Sequence, residues 1–156
     1  MSGIRAGEIR LESPLDMRAT LCFIGHIESP WTDRATCPRN LRAARETGQP
    51  ATLHIAPDFR PALDGITPGA LLVALYWMHD ARRDLLRQVP RHRPEGAGTF
   101  ALRSPARPNP IGMGVVRVLE IDPTGGRLLI DAIDALDGTP LIDLKPHMAL
   151  ADCDGG

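Results

Sequence analysis

Lysine is almost missing from this chain: of 18 cationic side chains Lys145 is a lysine and the other 17 are arginines. Against 19 carboxylates they leave a formal net charge of −1, so no overall excess of one sign is available to hold a polyanion. A GC-rich coding sequence would account for most of the arginine preference. Its chemical advantage, a planar guanidinium that grips carboxylate or phosphate through paired hydrogen bonds, counts at particular positions. Cysteine is scarce too. Cys22, Cys37 and Cys153 are odd in number, far apart and without any C-x-x-C, which excludes a disulfide framework and a zinc site, and all three read as reduced. Long apolar runs are lacking: the longest, residues 70–78, is half of the ~18 residues that a membrane span needs. The first twenty residues carry Glu8, Glu12 and Asp16 and no continuous apolar stretch, so no signal peptide is read there and a cytoplasmic location is expected.

Turn formers, by contrast, are abundant. With 15 Gly and 15 Pro, 30 positions favour turns where average usage predicts roughly 19, and long helices are not expected. The 156 residues, 43% of them apolar, suit one domain with a real core. The near-zero charge conceals a segregation. Residues 82–117 hold 8 Arg against Asp84 and Glu95, a local net of +6, whereas residues 118–156 hold Arg127 and Lys145 against 8 acids, a net of −6. An anionic ligand responds to the local field over about one Debye length, so the basic segment can meet one; mutual neutralisation of the two blocks across a fold is the alternative.

Hydrophobic periodicity favours strands. Apolar or β-branched segments at 21–27, 51–55, 70–78, 98–102, 115–121, 127–133 and 141–144 give seven short strands, with 70–78 buried on both faces. Asp122-Pro123-Thr124-Gly125-Gly126 joins two of them as a hairpin turn. Helical pattern is confined to 39–46 and to 80–89, where Ala81, Leu85 and Val89 recur at i, i+4, i+8. The expected fold is therefore mainly β, a small single-domain sandwich or barrel with short helices in the connections.

Two segments are unusually dense in chemistry. In 99–116 (TFALRSPARPNPIGMGVV), Pro105, Pro108 and Pro110 forbid helix and ladder pairing and stiffen an extended loop. Arg103 and Arg107 sit on it, and Gly112 and Gly114 follow, where backbone can approach a ligand. Gly112-Met113-Gly114 is no phosphate loop, since it lacks the third glycine and a following Lys-Ser/Thr. In 134–147 (DALDGTPLIDLKPH), Asp134, Asp137 and Asp143 are too widely spaced for a calcium loop, and no metal is expected. Carboxylates at such a turn suit ribose hydroxyls or an ammonium group, or simply form the turn.

These segments, about twenty residues apart, resemble the paired signatures of the TsaA-like, or TrmO-type, family. Upstream, Phe23-Ile24-Gly25-His26-Ile27 with Ser29-Pro30-Trp31 is similar to the family's opening strand and Ser-Pro turn, Cys37-Pro38-Arg39-Asn40 to its Pro-Arg-Gln element, and 74–80 (ALYWMHD) to its aromatic strand ending in His. The resemblance covers 21–148, leaving 1–20 as an N-terminal extension and 149–156 as a tail. Asn40, Gly114 and His147 replace the family's usual Gln, Ser and Tyr, and the chain ends eight residues after Met148, where tRNA-modifying bacterial members typically continue.

The resemblance implies a small β-barrel, usually dimeric, that binds S-adenosylmethionine and N6-methylates threonylcarbamoyladenosine beside the tRNA anticodon. Carried over by position, the cofactor site involves Pro38, Arg39, Asn40, His79, Asp80, Arg103, Met113, Asp134, Ala135, Leu136 and Asp137. Arg39 or Arg103 would pair with the cofactor carboxylate, an acid of the 134–137 turn would take ribose hydroxyls or the ammonium, and Met113 would pack on adenine. Methyl transfer needs nucleophile, methyl and sulfur in line, and a base for the leaving proton, for which His79 and Asp80 are the candidates. Arg82, Arg83, Arg87, Arg91 and Arg93, with Arg107, are the expected contacts to tRNA phosphates. A methyltransferase acting on a small molecule, and a non-catalytic cofactor-binding sensor or interaction module, use the same pocket and stay open beside the tRNA reading.

Overall fold

Alternation of apolar and polar residues sets the architecture of residues 3–149, which the structure, a computed structural model, describes. Cys153 and the tail from residue 150 lie outside these residues. The described chain falls into two compact units. Among the described residues, one comprises 21–77 and 112–149, the other 3–20 and 78–111.

The larger unit is built on a closed barrel of strands β2 (Gly25–Glu28), β3 (Ala51–Ile55), β4 (Leu71–Trp77), β7 (Ile111–Asp122), β8 (Arg127–Ile130) and β9 (Pro140–Pro146), in the order β2-β3-β8-β7-β4-β9. Closure leaves no sheet edge. On β3, Ala51, Leu53 and Ile55 point inward and Thr52 and His54 outward. Ile27, Leu53, Val116, Val118, Leu128, Ile130 and Leu141 fill the interior without solvent access. Each stabilises the fold by about 1.5–3 kcal/mol relative to exposure, which makes them the main favourable contribution.

Register separates two barrel ends. Gly25 pairs with Ile55 and Glu28 with Thr52, while Ala51 pairs with Ile130 and His54 with Arg127. The ends of β2 and β8 and the start of β3 therefore lie together. The start of β9 and Tyr76 join them, because Pro140 pairs with His26 and Leu141 with both Gly25 and Tyr76. The opposite end is closed by the 3-10 turn Pro57–Leu63 and holds an apolar cavity of about 140 Å³ lined by Ile24, Ile55, Phe59, Leu63, Leu72 and Leu144 among others.

Helix α1 (Leu41–Glu46) is the one expected over 39–46, shortened because Asn40 caps it: its side chain accepts a hydrogen bond from the Ala43 amide at 2.9 Å. The strand expected at 51–55 and the 115–133 hairpin form, the latter with β8 ending at Ile130. Residues 70–78 differ from expectation in their outer face: β4 alternates buried and half-buried positions. Residues 98–102 form a strand only as far as Gly98, then a 3-10 turn, Thr99–Ala101.

In the smaller unit, β1 (Ile9–Arg10), β5 (Leu85–Gln88) and β6 (Ala97–Gly98) make a sheet of order β1-β5-β6. The helix expected over 80–89 is thus corrected to the short strand β5 at Leu85–Gln88, preceded by turn and irregular chain over 80–84. A spacing of four is a multiple of two, so Ala81, Leu85 and Val89 fit a strand as well as a helix, and β1 and β6 offer the backbone of β5 antiparallel partners on both sides.

Candidate functional site

At the barrel end where β2 and β8 finish, two loops are joined by hydrogen bonds. After β2, Ser29 donates its amide to Asp137 Oδ1 at 3.0 Å and its hydroxyl to the Ala135 carbonyl at 2.7 Å. The buried Trp31 donates Nε1–H to the Ile133 carbonyl at 2.8 Å, and its own carbonyl accepts from the Asp137 amide at 2.7 Å. Gly138 donates to the Ile27 carbonyl at 2.8 Å. The 134–137 turn expected to meet the cofactor is thereby fixed by the Ser-Pro-Trp loop. Within the turn Ala135 is buried, and the Leu136 carbonyl accepts from both the amide and the hydroxyl of Thr139.

Asp134 stands on a second support. Its Oδ1 accepts the Tyr76 hydroxyl at 3.0 Å, and the Tyr76 ring lies against Gly112, where a Cβ would fall well under 3.0 Å from ring carbons. Gly112 is needed for close approach of backbone and ring rather than for an unusual φ. Asp134 and Asp137 each commit Oδ1 to a hydrogen bond within the fold.

The 37–41 segment packs at the same end. Leu41 Cδ2 and Ile133 Cδ1 lie 3.5 and 3.7 Å from where a Cβ on Gly114 would stand. Burial, and then the neighbouring Asp134 and Asp33 carboxylates, outweigh Arg34 and push the Cys37 thiol up to about 11. Cys37 is thus a protonated, poorly nucleophilic neighbour of Asp134 at neutral pH. Pro38 is half-buried, Arg39 and Asn40 are exposed, and the Arg39 guanidinium has no hydrogen-bond or ion-pair partner among the described residues. Arg45 ties α1 to the barrel through Asp131 Oδ2 at 2.8 Å and the Val115 carbonyl. Met113 is not brought into this group: with 50% exposure it lies on the outer face of β7, opposite the face where Gly114 meets Leu41.

In the smaller unit, His79 Nε2 stands 3.5 Å from Asp80 Oδ1, and both side chains are open to solvent. Such a pair is worth little to stability. Arg103 is exposed on the proline-stiffened loop with no partner among the described residues. Most of the arginines expected to meet RNA have protein acceptors. Arg82 pairs with Asp84 at 2.7 Å and Arg93 with Glu95 at 3.0 Å. Arg83 donates to the Pro108 carbonyl, Arg87 to the Gly7 and Glu95 carbonyls, and Arg107 to the Thr99 and Leu102 carbonyls. Arg91 is exposed, with no hydrogen-bond partner among the described residues. Among the described residues no group of three His, Cys, Asp or Glu side chains is placed to hold a metal ion, and no helix is long and apolar enough to cross a membrane.

Tyr76, Ser29 and Trp31 stand in the motifs but are not among the expected site residues. Ser-Pro-Trp was a signal for a turn; nothing in it says which carbonyl the indole reaches across about a hundred residues of chain.

A closed six-stranded barrel carrying a strapped acidic turn beside a Pro-Arg loop is the architecture these residues define. The chain belongs to the family described as the tRNA-methyltransferase O N-terminal domain, whose model matches residues 26–153. It is 37% identical, over 95% of its own length and 82% of the relative's, to a probable S-adenosyl-L-methionine-binding protein, VirR, of Rhizobium radiobacter. An S-adenosyl-L-methionine-binding protein of Archaeoglobus fulgidus is 39% identical, with 83% and 90% covered. The crystal structure of TrmO from Pseudomonas aeruginosa is similar with a TM-score of 0.68 and 32% identity over 89% of this chain, which spans 60% of that one.

Proposed function

We propose that the protein binds S-adenosylmethionine and transfers its methyl group to N6 of threonylcarbamoyladenosine in tRNA. The observation that carries this reading is the joining, at one barrel end, of the Cys37–Leu41 segment to the Asp134–Asp137 turn, two elements that the family resemblance assigns to the cofactor. Pro38, Arg39 and Asn40 with Asp134, Ala135, Leu136 and Asp137 then form the cofactor wall. Arg39 suits the carboxylate, and the second oxygens of Asp134 and Asp137 suit ribose hydroxyls or the ammonium. In the smaller unit Arg103 is an anion-binding guanidinium, and His79 with Asp80 handles the proton released by the attacking nitrogen. Met113 contributes an apolar surface on the outer face of β7.

The same reading makes the protein a cytoplasmic homodimer, which light scattering of the purified chain tests. The decisive measurement pairs calorimetric titration with S-adenosylmethionine with mass spectrometry of nucleosides from tRNA incubated with the protein and cofactor. Binding together with methylated threonylcarbamoyladenosine is expected. Binding without the methylated nucleoside refutes the tRNA reaction, and absence of binding refutes the cofactor site.

A further inference from the structure

Phe100 has no place in that assignment, yet it is the most exposed large apolar side chain among the described residues, with 87% of its surface open to solvent. Leaving a phenylalanine in water forgoes about 1.5–3 kcal/mol of burial. Phe100 is the middle residue of the 3-10 turn Thr99–Ala101. Thr99 before it is buried; its hydroxyl donates to the Leu85 carbonyl at 2.8 Å and accepts from Gln88 Nε2 at 2.9 Å. Gln88, also buried, reaches on to the Ala106 carbonyl at 2.7 Å. Arg107 Nη2 closes the other flank, donating to the Thr99 and Leu102 carbonyls at 3.0 and 2.9 Å. The backbone on both sides of Phe100 is thus tied down by hydrogen bonds.

Its surroundings are positive. Residues 78–111 carry seven arginines against Asp80, Asp84 and Glu95, and residues 1–20 carry three of each sign, so this unit has a net charge of +4. Arg87 and Arg107 are bonded to carbonyl oxygens, which satisfy hydrogen bonds without neutralising charge. Arg91 and Arg103 are exposed and unpaired among the described residues. A solvent-facing aromatic ring on a hydrogen-bonded turn in a positive field fits a partner with aromatic faces and a negative backbone, the combination that single-stranded nucleic acid offers. A second copy related by a two-fold axis through this face would bring +4 against +4.

We propose that Phe100 is a stacking platform for an unpaired base of RNA, and that Arg87, Arg91, Arg103 and Arg107 supply the field that draws the phosphates to it; this rests on tRNA being the methyl acceptor. The test is fluorescence anisotropy with an anticodon stem-loop RNA bearing threonylcarbamoyladenosine, repeated over a series of salt concentrations. Phe100→Ala should weaken binding by about five- to 150-fold, the range for one base stacked on one ring, equally at every salt concentration. Phe100→Trp should keep the affinity, and Arg91→Ala should instead make the salt dependence shallower. An unchanged cofactor titration shows that Phe100→Ala is folded. If the wild-type protein binds the RNA and Phe100→Ala binds it equally well, the platform is refuted and the tRNA reading stands. If Phe100→Ala turns a dimer into a monomer at unchanged RNA affinity, the ring belongs to a subunit contact and the platform is refuted. If the wild-type protein binds no RNA, both readings fall.

Discussion

Replacing Gly112 by alanine tests how the barrel holds its acidic turn. The added Cβ would overlap Cε2, Cδ2 and Cζ of the Tyr76 ring, on a side chain only 3% exposed. Overpacking of this kind costs about 1–3 kcal/mol. If the ring moves far enough to separate its hydroxyl from Asp134 Oδ1, now 3.0 Å away, a bond to a charged acceptor worth about 1.5–3 kcal/mol is lost as well. Alanine recovers about 0.5–1 kcal/mol of the entropy that glycine forfeits in a strand. With the hydrogen bond lost, the net expectation is a loss of about 1.5–5.5 kcal/mol, lowering Tm by roughly 3–20 °C in a chain of this size. Thermal melts followed by circular dichroism read the loss. In a Tyr76→Leu background the clash has no ring to act on, so the penalty of Gly112→Ala should shrink by more than about 1 kcal/mol. A Gly112→Ala protein as stable as wild type, or a penalty that is the same in both backgrounds, would refute the reasoning.

Trp31→Phe keeps most of the buried surface but leaves the Ile133 carbonyl without its indole donor; a loss of about 1–3 kcal/mol in denaturant melts is expected, with weaker S-adenosylmethionine binding by calorimetry. Cys37, its thiol pushed up to about 11, should resist iodoacetamide at pH 8 while the exposed Cys22 reacts, and Asp134→Asn should speed its alkylation by removing one of the causes. The sign for stability is fixed: above pH 9 the unfolded thiol ionises and the folded one does not, so melts should show stability falling between pH 9 and 11. Asp84 is held below the usual carboxylate range, first by the Arg82 side-chain hydrogen bond, so its stabilisation is present above about pH 4 and lost as the pH falls. Arg82→Ala should therefore cost more stability at pH 7 than at pH 2, as urea melts at the two values would show.

What could be read from sequence follows the range of the interaction. The strand at 51–55 and the turn 122–126 are set by neighbours, β-branched alternation in one case and Pro, Asp and Gly chemistry in the other, and both stand where the pattern places them. Asn40 as a cap is equally local. The 80–89 segment misleads because its apolar spacing is common to both periods, and the deciding partners, Ile9–Arg10 and Ala97–Gly98, come from elsewhere in the chain. The candidate site divides in the same way. Motif letters pointed to the 134–137 turn, but its fixation by Ser29 and Trp31 and the support of Asp134 by Tyr76 depend on pairings 58 to 108 residues apart.

The arginines show why counting charge along a sequence is insufficient and also not misleading. Five of the six arginines expected to meet RNA turn out to have protein acceptors, which at first sight removes them from any interface. Acceptor type separates them. A carboxylate partner cancels the field, as for Arg82 and Arg93, whereas a carbonyl fixes the guanidinium in place and leaves its charge to act outward, as for Arg87 and Arg107. Lysine could supply the same charge but not the same frame, because the two N–H groups that Arg107 Nη2 gives to the carbonyls are fixed in the guanidinium plane, whereas an ammonium rotates freely on a flexible stem. Arg107→Lys should therefore preserve the salt dependence of RNA binding while loosening the turn that carries Phe100, so that affinity falls uniformly across salt; a change in salt dependence with the affinity otherwise intact would place Arg107 on the phosphates themselves.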